Sequence, residues 1–402
     1  MGERIVLRYS DIIDPANIAT FMERGGFQAL SKARKMGPEK VIAEIKASKL
    51  KGRGGAGFLT GTKWELAHSS AGKEKYVICN ADEGEVGTFK DRYIIQHDPF
   101  SLIEGIAIAA SAIGATKAFI YLRGEYHYLL PGLTTAIAQA TKKGLIGLPI
   151  EIREGAGAYV CGEESALMNS IEGKRGEVRF RPPFPPTSGL FGKPTIINNV
   201  ETLMNIPVII ERGASLFASI GTPGSTGTKV FSVSGDVAKP GVYELVMGSR
   251  LADLLALAGA EDVKMVQIGG ATGGVVPASM VETPLSFETV LGSGAIMVFN
   301  TSRDVIDFAY RTMEFLNEES CGECTPCREG TEVMVAIYER LVKGEGAAGD
   351  IKALEDLSKI MMSSSLCGLG QAAPVPVLDT LKYFRNDYEN RIKQSVFLRT
   401  LR

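Results

Sequence analysis

Histidine and tryptophan are scarce in this chain of 402 residues, which contains three histidines and one tryptophan. His68, His97 and His127 are far apart in the sequence, and no Ser-His-Asp arrangement accompanies them. Each histidine is therefore interpreted as a surface or capping residue. Hydrolysis and acid–base catalysis, in which histidine is the most frequent catalytic side chain, have little support.

The chain also lacks an excess of one charge and a long apolar run. Lys and Arg number 44 and Asp and Glu number 46, so the net charge is 44 − 46 = −2, which gives no support to nucleic-acid binding or a polybasic membrane patch. The longest apolar stretch, residues 103–120, is interrupted by Glu104 and Lys117 and is too short to cross a bilayer.

The first residues, MGERIVLRYSD, lack the apolar region of a signal peptide. We therefore expect a protein without direct insertion in a membrane, located in the reducing environment of the cytoplasm or, alternatively, in the matrix of an organelle. In such a compartment, the six cysteines are metal ligands or buried thiols rather than disulfides.

Glycine, by contrast, is abundant, with 46 residues among 402, about 11% against an average of roughly 7%. The glycines are clustered, which indicates sites where the backbone approaches a ligand closely. The length favours two or three domains.

The order of the predicted elements indicates an α/β protein. Alternating strands and helices favour a mostly parallel sheet covered by helices, with strands at residues 76–79, 118–122 and 150–153 and helices at 102–113, 130–143 and 163–171. A smaller β-rich domain with one helix at 251–258 follows a predicted linker at 221–227, with strands at 229–235, 242–246, 265–268 and 295–299. We divide the chain into a helical segment (1–50), an α/β domain (51–225), a β-rich domain (226–302) and a helical region (303–402).

Four cysteines near the C-terminus are the strongest chemical signal. Cys321, Cys324 and Cys327 follow one another at intervals of three residues, and Cys367 lies forty residues beyond them. Three close thiolates and one distant thiolate suit an iron–sulfur cluster. Zinc is the alternative, although structural zinc sites more often pair two C-x2-C units. The remaining cysteines, Cys79 and Cys161, lie on apolar segments and are interpreted as buried thiols.

A glycine-rich segment, GRGGAGFLTGTKW, satisfies G-x-G-x-x-G with Gly52, Gly54 and Gly57. It follows a predicted helix and precedes the strand at 76–79, whereas a dinucleotide fingerprint follows a strand and opens a helix. Close glycine amides can nevertheless hold a phosphate, and Lys63 can neutralise it. A tight surface turn is the alternative interpretation.

Three further segments place polar groups where a ligand could bind. Acidic residues follow the first strand, and ligands of open α/β sheets bind at the carboxyl ends of strands. A second acidic pair begins a helix, where carboxylates are also favoured for structural reasons. A rigid proline-rich stretch with an arginine and a phenylalanine precedes an asparagine pair. The residues concerned are Asn80, Asp82, Glu83 and Glu85, then Glu163 and Glu164, and then Arg181, Phe184, Asn198 and Asn199.

Together these segments resemble one family, the flavin- and NADH-binding subunit of respiratory complex I. The same module occurs in NAD-linked hydrogenases and formate dehydrogenases. The resemblance covers nearly the whole chain in order, through RGGAGFLTGTKW, NADEGE, GAGAYVCGEE, RPPFP, INNVET, CGECTPCREG and SLCGLGQAAPVPV. It implies a Rossmann-like FMN-binding domain, a small β-grasp-like domain and a C-terminal helical bundle with a [4Fe–4S] cluster on Cys321, Cys324, Cys327 and Cys367.

The resemblance also implies the binding residues. For FMN they are Gly52, Gly54, Gly55, Lys63, Asn80, Asp82, Glu83, Gly162, Glu163, Asn198, Asn199 and Thr202. For NADH they are Phe58, Glu85, Glu164, Arg181 and Phe184. The family often has an aromatic residue against the adenine where this chain has Leu66, and often lysine where it has Arg181. Glu85 is expected to bind and tune rather than to act as a general base.

The implied activity is hydride transfer from NADH to FMN, followed by single-electron transfer to the cluster and to a partner. The implied partner is a small thioredoxin-like [2Fe–2S] subunit within a larger redox complex, which would hold the chain at the inner face of a membrane. Hydrogenase-type versions often carry added domains, and their absence favours a complex I-type assembly. Two alternatives stay open here: the same module in an NAD-linked or electron-bifurcating hydrogenase or a formate dehydrogenase, and a non-enzymatic zinc-stabilised scaffold.

Overall fold

The computed structural model describes residues 4–289 and 291–400, with side chains as far as residue 395. The domains predicted from the sequence include residues 1–3, 290, 401 and 402, which lie outside the described residues. The predicted α/β class is confirmed, since the chain forms a parallel sheet with helices, a second sheet and a series of C-terminal helices.

The first sheet contains four parallel strands among the described residues, in the order β3-β2-β1-β4. The strands are β1 (Tyr76–Ala81), β2 (Lys117–Leu122), β3 (Ile150–Glu154) and β4 (Thr195–Asn199). β1 lies between two neighbours, and its residues Val77, Ile78 and Cys79 are all buried. Such a continuous apolar run is expected of a strand covered on both faces. Sequence analysis did not identify β4, which ends in the asparagine pair.

Helices cover both faces of this sheet. The helices up to residue 218 are α1 (Ile18–Met22), α2 (Gln28–Met36), α3 (Pro38–Ala47), α4 (Thr60–Ser69), α5 (Lys90–His97), α6 (Pro99–Ile113), α7 (Leu130–Lys142), α8 (Glu164–Ile171), α9 (Val200–Arg212) and α10 (Ala214–Ala218). α6 begins where the Asp98 carboxylate accepts the Ser101 N–H at 2.9 Å, and it ends at Gly114 in the left-handed region. The N-terminal helices pack into the same core as the sheet.

The second sheet lies between residues 228 and 300. Its strand order is β10-β9-β11-β7-β8, with β11 parallel to β7 and the other neighbours antiparallel. Its elements are β7 (Thr228–Gly235), β8 (Gly241–Val246), α11 (Leu251–Ala258), β9 (Val263–Ile268), β10 (Gly274–Pro277) and β11 (Ala295–Asn300).

The predicted linker at 221–227 is not a free connector. It contains a two-stranded hairpin, β5 (Gly221–Thr222) and β6 (Ser225–Thr226), in which Ser225 and Thr226 are buried. The buried Ser225 hydroxyl accepts the Phe287 N–H at 3.0 Å, so the hairpin is fixed to a loop of the second sheet. A serine- and glycine-rich composition alone therefore did not distinguish a linker from a packed hairpin.

The C-terminal region is helical, as expected. Its helices are α12 (Val305–Glu318), α13 (Thr325–Val342), α14 (Asp350–Ser364), α15 (Gly368–Ala372), α16 (Pro374–Tyr383) and α17 (Arg385–Thr400). Within the described part of the chain, none of the helices has the length and apolar character needed to cross a membrane.

Candidate cofactor and iron–sulfur sites

The glycine-rich segment forms a closed loop that opens α4. The Gly52 N–H donates to the Phe58 carbonyl at 2.8 Å, and the Thr60 N–H donates to the Leu50 carbonyl at 2.9 Å. Gly55 and Gly57 have φ values of +127° and +66°, which favour glycine. The sequence analysis placed this segment directly before β1 and missed α4. The loop therefore does open a helix, as a phosphate-binding loop should, although it follows α3 rather than a strand.

This loop lies against the carboxyl end of β4. A methyl group added at Gly54 would lie 3.1 Å from the Asn199 Cβ atom, and one added at Gly57 would lie 2.8 Å from the Phe287 ring. The Arg53 N–H donates to the Thr202 hydroxyl at 2.8 Å. The predicted glycines and the predicted residues of the asparagine segment are thus brought together at one edge of the sheet.

Asp82 has the most unusual environment among the predicted residues. It follows β1, and both of its carboxylate oxygens are buried without a hydrogen-bond partner among the described residues. Burial raises the pKa of Asp82 to about 7. The neighbouring Asn80 amide donates to the Gly162 carbonyl at 2.9 Å, and its oxygen accepts the Asp82 N–H at 3.0 Å. A buried acceptor pair without donors fits a ligand that carries hydroxyl groups.

Other predicted residues are already bonded to the protein. The Glu83 carboxylate accepts the N–H groups of Asp91 and Arg92 and the Tyr126 hydroxyl, at 2.8, 3.1 and 3.0 Å. The Asn199 amide donates to Asp91, and its oxygen accepts the Glu201 N–H at 3.0 Å. These side chains hold the site in shape, and Thr202, which accepts the Arg53 N–H, does the same.

A chain of alternating charges connects predicted FMN and NADH residues. The Lys63 ammonium lies 3.2 Å from a Glu164 carboxylate oxygen and donates to the Ile197 carbonyl at 3.1 Å. Arg181 lies 3.2 Å from the other Glu164 oxygen and also pairs with Glu163. Glu163 in turn accepts the N–H groups of Ser165 and Ala166 and so begins α8.

Large apolar side chains are exposed at predicted NADH positions. Phe58, Phe184 and Leu66 have exposed fractions of 54%, 55% and 49%. The neighbouring Trp64 is buried instead, and its indole N–H donates to the Asn198 amide oxygen at 2.9 Å. Exposed rings on a rigid stretch are available to stack on a base. Glu85 differs from the other NADH candidates, because its carboxylate points to the second sheet.

The four cysteines of the C-terminal region line one cavity. Cys321, Cys324 and Cys367 are half-buried and Cys327 is buried. Burial raises the pKa of the Cys327 thiol to about 11. Among the described residues, no group of three or more His, Cys, Asp and Glu side chains is arranged around a single metal ion. Four thiols around one cavity supply the donor set that an iron–sulfur cluster requires. Cys79 and Cys161 are buried outside this cavity, as expected.

One short segment touches both sites. Residues Tyr159–Gly162 form a 3-10 helix between β3 and α8. Val160 lines the cysteine cavity, while the Gly162 carbonyl accepts the Asn80 amide at 2.9 Å. The edge of the first sheet at Asn80 and the cysteine cavity are therefore adjacent.

Sequence analysis missed a buried group of charges below the glycine loop. The Lys229 ammonium lies 2.6 Å and the Lys90 ammonium 3.0 Å from one Glu201 oxygen, and all three side chains are buried. Burial alone would raise the pKa of Glu201, but Lys229, Lys90 and Arg53 lower it below its usual value. Burial lowers the pKa of Lys229 to about 8 and that of Arg53 to about 10. Sequence patterns did not reveal this group, since lysine and glutamate are usually exposed.

The fold and its two adjacent sites define a nucleotide-binding protein with an iron–sulfur centre, and comparisons with known proteins make the class more specific. A family model described as the Nuo51 FMN-binding domain matches residues 45–208. A model described as the NADH-ubiquinone oxidoreductase-F iron-sulfur binding region matches residues 307–391, and an SLBB domain model matches residues 230–261. The second match includes all four cysteines.

Related proteins cover nearly the whole chain. The chain is 43% identical to an NADH-quinone oxidoreductase F-type protein of Rhizobium meliloti, over 98% of this chain and 99% of that protein. It is 44% identical to the alpha subunit of the NAD-reducing hydrogenase HoxS of Cupriavidus necator, over 88% of this chain and 61% of that protein. A crystal structure of NAD+-reducing [NiFe]-hydrogenase is similar with a TM-score of 0.89 and 40% identity, covering 97% of this chain and 67% of that one. The chain belongs to the family of F-type NADH-quinone oxidoreductase proteins, which includes hydrogenase subunits.

Proposed function

We propose that this protein is the NADH-oxidising electron-entry subunit of a multi-subunit redox complex. FMN held by the glycine loop and the polar edge of the first sheet would supply hydride and single-electron chemistry. Cys321, Cys324, Cys327 and Cys367 would hold a cluster that supplies one-electron transfer towards a partner. No side chain has to donate or accept a proton for the hydride step, so the main task of the protein is to position the nucleotide against the flavin.

The observation that supports this proposal is the position of the segment Tyr159–Gly162 between the two sites. One end of it lines the cysteine cavity and the other end bonds to the polar edge of the first sheet. A flavin at that edge would therefore lie close to a cluster on the cysteines. The iron–sulfur family model supports a cluster there and gives no support to a zinc-stabilised scaffold.

The FMN residues divide into two groups. Some can present groups to a ligand: the loop backbone at Gly54 and Gly55, which the Gly52 N–H closes by bonding to Phe58, can hold the phosphate with the third N–H of Lys63, and Asp82 can accept ribityl hydroxyl groups. The others support these groups through bonds within the protein, and they are Asn80, Glu83, Gly162, Glu163, Asn198, Asn199 and Thr202. Charge-assisted contacts to a phosphate are among the stronger polar interactions.

The alternating charges of Lys63, Glu164 and Arg181 and the exposed rings of Phe58 and Phe184 hold NADH next to the flavin. Glu164 can accept ribose hydroxyl groups, and Arg181 can donate to the diphosphate. Phe58 and Phe184 can contact the adenine from their exposed positions, and Leu66 gives that pocket an aliphatic surface. Glu85 completes the NADH site from the side of the second sheet.

The domain organisation and the partners are part of the same proposal. The second sheet is a β-grasp-like domain over residues 226–302, after an α/β domain at 51–225 and before a helical bundle at 303–402. The bundle passes electrons to a small thioredoxin-like [2Fe–2S] subunit in a complex I-type assembly. Through this complex the chain lies in the cytoplasm at the inner face of a membrane.

An NAD-linked hydrogenase is the second candidate for the parent complex. The specific observation that favours it is the similarity to the NAD+-reducing [NiFe]-hydrogenase structure. Affinity purification of the tagged chain from its native host separates the two assemblies. Co-purification of membrane-embedded quinone-reducing subunits supports the complex I type, and co-purification of a nickel-containing subunit supports the hydrogenase.

The activity itself is tested on the purified chain. We expect a yellow-brown protein with a flavin absorption band and a broad iron–sulfur shoulder, which reduces ferricyanide with NADH. After reduction, electron paramagnetic resonance should report the cluster. A colourless, zinc-containing protein without NADH oxidation would contradict the proposal.

A further inference from the structure

A second glycine cluster, GGATGG at residues 269–274, connects β9 to β10 in the second sheet. Gly269 and Gly270 have φ values of +98° and +89°, so both adopt a conformation that other residues rarely take. The turn is tight as well, because a methyl group at Gly273 would lie 2.0 Å from the Ile268 carbonyl oxygen. A glycine-dependent loop of this kind allows a close approach to another part of the protein.

The part that this loop approaches is Glu85 in the first domain. The Ala271 N–H donates to one Glu85 carboxylate oxygen at 2.6 Å. The Tyr159 hydroxyl donates to the other oxygen at 2.7 Å. A methyl group at Gly270 would lie 2.0 Å from the Glu85 Cγ atom, so only glycine leaves room for this side chain.

Neighbouring contacts also join the turn that carries Glu85 to the second sheet. The hydroxyl groups of Thr88 and Ser293 lie 3.0 Å apart. A methyl group at Gly87 would lie 2.8 Å from the Met297 side chain. The end of the second sheet therefore closes over the turn that carries Glu85.

Tyr159 connects this arrangement to the helical region. Its N–H donates to the Glu319 carboxylate at 3.0 Å, and its ring meets the Phe315 ring edge-on at 5.5 Å between centroids. Since Phe315 and Glu319 belong to α12 and its end, the hydroxyl that holds Glu85 is itself held by the bundle. The α/β domain, the second sheet and the helical region thus all contribute to the position of one carboxylate.

We propose that the second sheet is a working part of the nucleotide site, in which the loop 269–274 and Tyr159 are positioning groups that hold Glu85 towards NADH. This inference rests on the proposed function, in which Glu85 contacts NADH. A carboxylate that is oriented before the ligand arrives does not lose rotational freedom on binding, so the affinity is higher. The donors from Ala271 and Tyr159, together with the Thr272 hydroxyl at 3.5 Å, also keep the carboxylate in one orientation.

The mildest test is Tyr159→Phe, which keeps the ring and removes the hydroxyl. With ferricyanide as the acceptor, we expect the KM for NADH to rise about tenfold, the effect of losing one hydrogen bond to a charged group. We expect kcat to change less than twofold, because the interaction holds substrate and transition state equally. Tyr338→Phe is the matched control: the Tyr338 hydroxyl is buried in the bundle, 3.1 Å from that of Tyr388, and its loss should leave the KM unchanged.

Gly270→Ala tests the contribution of the loop 269–274 to the position of Glu85. The added methyl group should displace Glu85 and raise the KM for NADH at least as much as Tyr159→Phe. Gly114→Ala is the control for backbone strain alone, because Gly114 has a φ of +73° and no atom within 4 Å of an added methyl group. It should lower the Tm without raising the KM.

A double variant separates positioning from general stability. In a Glu85→Gln background, Tyr159→Phe should change the KM less than twofold, since the group that it positions has lost its charge. An unchanged KM in Tyr159→Phe, with normal FMN content and Tm, would overturn the inference even where Gly270→Ala fails to fold. If the unaltered protein does not oxidise NADH, the proposed function fails instead, so the two failures are distinct.

Discussion

Lys63→Ala tests the phosphate-binding role of the glycine loop. In the structure the Lys63 ammonium is within 3.2 Å of Glu164 and donates to the Ile197 carbonyl at 3.1 Å, with 19% of its side chain exposed. A hydrogen bond between charged groups contributes about 1.5–3 kcal/mol. Since about 1.4 kcal/mol corresponds to a factor of ten, FMN should bind roughly tenfold to hundredfold more weakly to the variant.

The same substitution should affect folding much less. Glu164 retains Arg181 at 3.2 Å, and a partly exposed ion pair contributes about 1 kcal/mol or less. We therefore expect a small change in the Tm of the flavin-depleted protein. Equilibrium dialysis of FMN measures the affinity, and a thermal melt without FMN measures the stability.

Lys46→Ala provides the matched control for this experiment. Lys46 pairs with Glu65 at 2.8 Å on the outer side of α4, and its side chain is 42% exposed. Its removal should leave FMN binding unchanged. If Lys63→Ala binds FMN as tightly as the parent protein, the ammonium is not at the phosphate and our interpretation of the loop is wrong.

Three further predictions concern the cluster, the adenine pocket and the buried carboxyl. Cys324→Ser should remove the cluster signal from the electron paramagnetic resonance spectrum while FMN stays bound, whereas Cys79→Ala should keep both; an unchanged signal in Cys324→Ser would contradict the ligand assignment. Leu66→Phe should lower the KM for NADH several-fold at constant kcat, because an aromatic face on adenine contributes about 1–3 kcal/mol. A lower Tm with an unchanged KM would instead show that Leu66 packs against the protein and does not contact the adenine. Asp82→Asn should weaken FMN binding, and it should stabilise the flavin-free protein more at pH 8 than at pH 5. Burial raises the pKa of Asp82 to about 7, so the free energy of unfolding of the parent protein falls as the pH rises towards that value. Thermal melts of both proteins at the two pH values measure this effect. If Asp82 were solvated, the difference in Tm between variant and parent would be the same at both pH values.

Local patterns predicted part of the order of elements, for physical reasons that particular segments show. β1 and β2 are apolar over most of their length, and α6 has an N-cap aspartate, an N-terminal proline and a C-terminal glycine. These signals are local and need no knowledge of neighbours. α4 lacked such a signal, because its sequence TGTKWELAHS has weak apolar periodicity and no side-chain N-cap. It is helical because Trp64 and Ala67 are buried against the core.

The sequence predicted which segments form the candidate site, but it did not predict which of their residues face a ligand and which support the site through bonds within the protein. The sequence places Asp82 and Glu83 side by side as equivalent acids. Among the residues that the structure describes, no group donates a hydrogen bond to the Asp82 oxygens, whereas three groups donate to those of Glu83. The difference arises from α5 and Tyr126, which reach Glu83 from elsewhere in the chain. Partners distant in sequence likewise decide that Asn199 supports the site.

The buried ion pair between Lys229 and Glu201 has a consequence for dissecting the protein. The predicted border at residues 225 and 226 passes between these two residues, and Val230 belongs to the core of the first sheet. A fragment that ends at residue 225 would remove Lys229 from Glu201, which is fully buried. Glu201 would keep Lys90 at 3.0 Å but lose the nearer Lys229 ammonium at 2.6 Å, so we expect the fragment to be less stable than the intact protein. We therefore expect the α/β domain and the second sheet to unfold together, although the sequence divides them into two domains.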